Sequence, residues 1–162
     1  MHPKSFKDKL TSIMATSLDQ IDARIIICRQ DGIALYDSFN DTSVQSIGAL
    51  IGGASLAMDS MMNLLNFNST DTGMRIACEN GTEGVLLYPF TINSKVFYLC
   101  AIYRDCLNPG RLRQKIYNLK HKISSQESDF GIMDDKQSER SGYLFRDISD
   151  AEMDKLFHMK DI

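Results

Sequence analysis

The chain is predicted to fold as an α+β domain: a single antiparallel sheet with helices on its faces, in the order α-β-β-α-β-β-β-α, followed by a C-terminal extension. Three observations carry this expectation. Two short β-branched runs meet at an Asp-Gly turn around Gly32, a long helical pattern follows, and three closely spaced apolar runs then lead into a further helical pattern.

The first element is an amphipathic helix over 5–18, where Phe6, Leu10, Ile13, Met14 and Leu18 recur at helical spacing against Lys and Asp. The run Arg24 to Cys28 and the run Ile33 to Tyr36 form a hairpin, because Gly32 accepts the positive φ that a tight turn demands. Asp41 or Thr42 can cap the next helix, expected over 43–66. In it Val44, Ile47, Ile51, Ala54, Met58, Met61 and Leu65 alternate three and four apart, and Leu50, Ala57 and Leu64 add a second row. A helix on one sheet needs one apolar stripe, so the surplus asks for a second partner.

Gly48 and Gly52, one turn apart with Ser55 nearby, each cost about 1 kcal/mol of helix propensity relative to Ala, and small residues in that pattern let a backbone approach. Either a second copy of the chain or the chain's own sheet could make that approach. The first alternative places a dimer interface on Val44, Ile47, Gly48, Ile51, Gly52 and Ser55. Strands are then expected over 73–79, half-covered, and over 84–90 and 95–103, both central, with short turns between them. Pro109 and Gly110 open the last helix, with Asn108 as a possible cap and Leu112, Ile116, Leu119 and Ile123 on its inner face.

The 162 residues divide into a body over 1–124, a flexible acidic linker over 125–142 and a tail over 143–162. The formal charge of −3 hides an asymmetry: the body carries 13 basic and 11 acidic residues, the remainder 5 basic and 10 acidic. Nucleic-acid binding, which wants a basic excess, loses weight. The start has no signal-peptide pattern and no run is long and apolar enough for a membrane span, so a cytoplasmic protein is expected. Cys28, Cys78, Cys100 and Cys106 show neither zinc nor disulfide spacing. The first three sit in apolar strand patterns as core residues, which leaves Cys106 as the accessible thiol.

Phosphate-loop, dinucleotide and HExxH motifs are absent, and the glycines near Gly52 lie inside a helix whose amides are already used. No catalytic residue, metal site or cofactor is expected. Arg104 or Arg111 could act as an inserted arginine, although solvated roles are the commoner use. In the tail, Ser149 and Glu152 make a capping box and Ile148 with Met153 a hydrophobic staple. So short a helix must dock on something or fray, and either the chain's own body or a partner protein could receive Ile148, Met153, Leu156 and Phe157.

The stretches Ala23 to Ser38, Ile47 to Leu65 and Gly84 to Tyr103, with the helix from Asn108, resemble the roadblock/dynein light chain superfamily and, within it, the MglB-like branch. The resemblance spans about Phe6 to Ser124 and rests on order and spacing. It implies a homodimer with the sheet continued across protomers and the central helices packed together. It also implies a non-enzymatic regulator or scaffold beside a Ras-like small GTPase, promoting hydrolysis or exchange. The alternative is an adaptor whose tail recruits a response-regulator or polarity protein without GTPase binding.

Overall fold

The computed structural model describes residues 6–18, 21–67, 75–126 and 130, and it has the expected element order. Helix α1 (Phe6–Ala15) precedes the hairpin of β1 (Arg24–Arg29) and β2 (Ala34–Asp37). Helix α2 (Val44–Leu64) leads into β3 (Ile76–Asn80), β4 (Glu83–Ile92) and β5 (Lys95–Tyr103), and α3 (Pro109–Ser125) follows. The five strands form one antiparallel sheet in the order β2-β1-β5-β4-β3. The two longest strands, β4 and β5, pair over nine positions from Gly84↔Tyr103 to Ile92↔Lys95, and β5 takes the centre.

Successive strand residues point to opposite faces, so each face collects its own core. On one, Ile26, Cys28, Leu87, Tyr98 and Cys100 pack with Ile51 of α2, and Val44 and Ile47 pack against them. On the other lies Phe97, stacked on Phe6 of α1 at 5.4 Å and on Phe90 at 5.6 Å, and Phe6 also meets Phe130 at 4.7 Å. Leu10 and Met14 of α1 and Leu112, Ile116, Leu119 and Ile123 of α3 are buried, as their spacing requires.

The local signals account for most boundaries. At the first turn the Gly32 amide donates to the Arg29 carbonyl and Gly32 adopts φ +84°. The Asn108 side chain caps α3 by accepting from the Arg111 amide at 2.9 Å. Three details differ from expectation. The cap of α2 is Ser43, whose own side chain makes no capping bond; Asp41 instead accepts from the Ser43 amide and hydroxyl. Strand β4 runs on to Ile92, because Asn93 and Ser94 both take positive φ and close a two-residue hairpin. Strand β3 is not half-covered: of its five residues only Ile76 is partly shielded.

The predicted boundary at 124 falls one residue short of the end of α3, and Phe130 is buried. The rest of the predicted linker, and the whole tail with Ile148, Met153, Leu156 and Phe157, lie outside the described residues.

Candidate functional site

Helix α2 carries two apolar rows with different fates. The inner row contains the six residues expected at a dimer interface. Gly48, Ile51, Gly52 and Ser55 are buried within the chain itself, and Val44 and Ile47 are partly buried against the same core. The glycines permit a close approach, but to the chain's own β1–β2 turn. A Cβ on Gly52 would meet the Gly32 Cα and N at 3.2 Å, and one on Gly48 would collide with the Gly32 carbonyl oxygen. Ser55 donates to the Ile51 carbonyl at 2.8 Å and engages the Tyr98 hydroxyl. In this arrangement these four buried residues are spent inside one chain.

The outer row is Leu50, Ala54, Ala57, Met61 and Leu64, again alternating four and three apart. All five are exposed, Leu50 to 73% and Leu64 to 82%, and Leu56, Leu65 and Phe67 are exposed beside them. Asp59 is the sole charge within α2, and Gly53 on this side has nothing within 4 Å of where its Cβ would stand. By length and composition alone α2 could cross a membrane. Its packed inner row instead makes it a helix lying on a sheet with its other side uncovered. Contiguous exposed apolar surface of this kind marks an interaction site.

The sheet adds a second uncovered feature. Its two edges are β2 and β3. The first is four residues long and lies near α1, whereas β3 is exposed from Ala77 to Asn80, with Cys78 at its midpoint, and only Ile76 packs against the α2-side core. An edge strand presents unpaired N–H and C=O groups to any strand that can align with it. Among residues of the same sheet, Val85 on β4, opposite Cys78, is also exposed.

Two charged clusters brace this framework. The Arg24 guanidinium donates from Nε and Nη2 to both oxygens of Asp37 at 3.0 and 2.8 Å, and Asp37 also accepts from the amides of Phe39 and Asp41. Burial pushes the Asp37 carboxyl up, but the guanidinium and the two amides outweigh it and hold it below the ordinary range. The pair fixes the turn that launches α2. At the far side, Glu79 accepts from the Tyr103 hydroxyl at 2.6 Å and from Arg113, whose guanidinium is the main cause holding Glu79 below its ordinary value. Burial, and then Glu79, push Tyr103 up to about 12.

Nucleophile chemistry finds little here. Burial pushes the thiols of Cys28 and Cys100 up to about 12, far from a thiolate at neutral pH. The exposed thiol is Cys78, not Cys106, which is half-buried; alternation along β3 signalled a covered face that the structure does not supply. Arg104 and Arg111 are both exposed. Among the described residues no group of three His, Cys, Asp or Glu converges.

The outer row and the β3 edge are the site that reading residue by residue missed, though the second row through Leu50, Ala57 and Leu64 was its signal. No family model and no curated protein matches the sequence. Solved structures do. Myxococcus xanthus MglB is similar with a TM-score of 0.64 at 16% identity, over 83% of this chain and 98% of that one. A gliding protein MglB from Thermus thermophilus is similar with a TM-score of 0.56 at 10% identity, over 76% and 93%. A structure described as MglB with a tetrameric arrangement gives 0.57 at 9% identity, over 76% and 93%. A roadblock/LC7 domain from Streptomyces avermitilis gives 0.51 at 16% identity, over 69% and 92%.

Proposed function

We propose that this chain, which has the fold shared by MglB and the roadblock/LC7 domain, is a self-associating, non-enzymatic regulator of a Ras-like small GTPase. The observation that carries the reading is the outer row of α2: an apolar stripe of regular spacing on a helix whose other side already holds the sheet. Two copies related by a two-fold axis would bury Leu50, Met61 and Leu64 against their counterparts, with Gly53, Ala54 and Ala57 letting the helices approach. The exposed β3 edge suits continuation of the sheet into the second copy. The interface is thus proposed on the outer row in place of Gly48, Ile51, Gly52 and Ser55.

The GTPase comes from the resemblance in the sequence. The regulator works by ordering the partner's switch loops or by loosening its nucleotide contacts, and the tail, through Ile148, Met153, Leu156 and Phe157, adds a second contact. The experiment has two stages. Light scattering on the full chain should give a dimer, and Leu50→Asp with Leu64→Asp should give a folded monomer; an unchanged mass removes the interface. Pull-down of the host's small GTPases in each nucleotide state should then retain one of them, and absence of binding in both states removes the regulator.

A further inference from the structure

We propose that the outer face of α3, with the loop that precedes it, docks on an anionic phospholipid surface. Helix α3 has five cations and not one carboxylate; Arg113 is paired with Glu79 and Lys120 is buried, which leaves Arg111 and Lys122 exposed and Lys115 half-exposed. Helical spacing turns Leu112, Ile116, Leu119 and Ile123 to the sheet and Arg111, Asn118 and Lys122 away from it. Lys122 reaches across to the Thr16 and Ser17 hydroxyls at the end of α1, whose first turn has Lys7 and Asp8 exposed side by side, a pair of no net charge. The exposed net positive charge therefore lies on α3 and the loop before it.

The loop supplies what a merely solvated basic face lacks. Leu107 is 98% exposed, between the exposed Arg104 and Arg111, with one exposed carboxylate, Asp105, beside Arg104. It is held there: the Cys106 amide donates to the Thr82 carbonyl at 2.9 Å, Asp105 adopts φ +52°, and Asn108 caps the helix behind it. Ten residues on, Tyr117 is exposed beside the ring of His121. A projecting leucine flanked by guanidinium groups, with a tyrosine on the same helix, matches a lipid interface: the cations take phosphates, the leucine enters the acyl boundary and the phenol stays at headgroup level. Nucleic acid fits less well, since the face offers one tyrosine for stacking and its most exposed residue is the aliphatic Leu107. The α2 row serves a different face of the sheet, so the inference does not depend on the proposed dimer.

Flotation of the full chain with phosphatidylcholine vesicles, with and without phosphatidylserine, tests it. Binding is expected with phosphatidylserine and should be lost at high salt. Arg104→Gln with Arg111→Gln should weaken it by roughly 10-fold or more, and Leu107→Ser should weaken it without altering the salt dependence. These positions are exposed, so an unchanged melting curve should accompany each variant. Absence of binding overturns the proposal, as does undiminished binding by the arginine variant. Equal binding to both vesicle types also overturns it, because the uncharged outer row of α2 would then be the contact.

Discussion

The carbonyl oxygen of Gly32 occupies the space where a side-chain carbon on Gly48 would have to stand. The helix and the hairpin turn are therefore in backbone contact, with no flexible side chain between them to give way. Gly48→Ala should destabilise the fold by about 2 kcal/mol, since a backbone must move to admit the methyl group. Gly53→Ala, on the outer side with open space around it, should instead stabilise the isolated chain by up to ~1 kcal/mol through helix propensity. Urea denaturation of both variants checks the pair, and equal effects would contradict the assignment of inner and outer sides.

Cys78 reports on the β3 edge. In a sheet continued through β3, antiparallel partners stand about 4.5–5.5 Å apart, within the ~4.4–6.8 Å that a disulfide spans. Mild oxidation of the full chain should give a covalent dimer that Cys78→Ser abolishes and Cys106→Ser leaves intact. Buried Cys28 and Cys100 should not contribute. A cross-link that survives Cys78→Ser would rule out pairing through this edge.

The Arg24–Asp37 pair should show in the pH dependence of stability. Its side chains are 11% and 4% exposed, so removing the Asp37 charge leaves a largely buried guanidinium with only the more exposed Asp41, at 3.3 Å, as its counter-ion. Asp37→Asn should cost roughly 3 kcal/mol at neutral pH. Because the folded carboxyl titrates below its ordinary value, its contribution is complete above that ordinary value and is lost as pH falls through the depressed one. Wild type and Asp37→Asn should therefore converge in strongly acidic solution. Stability measured across the acid range checks this, and a constant gap would sink it.

Local chemistry was legible because it acts within a few residues. Asp31-Gly32, the Asn108 cap and the inner face of α3 all follow from neighbours along the chain. The two rows of α2 were legible as rows. Which of them met the sheet was not, because that is decided by the backbone of Gly32, a contact that periodicity cannot encode. Strand alternation likewise could not show that β3 lacks a cover, since an edge is a property of the whole sheet. The Arg24–Asp37 pair joins two ends of a hairpin, and nothing in either strand's apolar pattern distinguishes those charges from solvated ones.

The position of β5 at the centre of the sheet governs when the chain can fold. Arg24 of β1 pairs with Ile102, and Ile76 of β3 belongs to a ladder that reaches β1 only through β5. As the chain leaves the ribosome, the β1–β2 hairpin must wait with one apolar strand uncovered until β5 has been made. Closure is then a late, long-range step, of the kind that is slow and exposed to aggregation. The strand that gives the finished sheet its cohesion is thus also the one without which the β1–β2 and β3–β4 hairpins share no ladder.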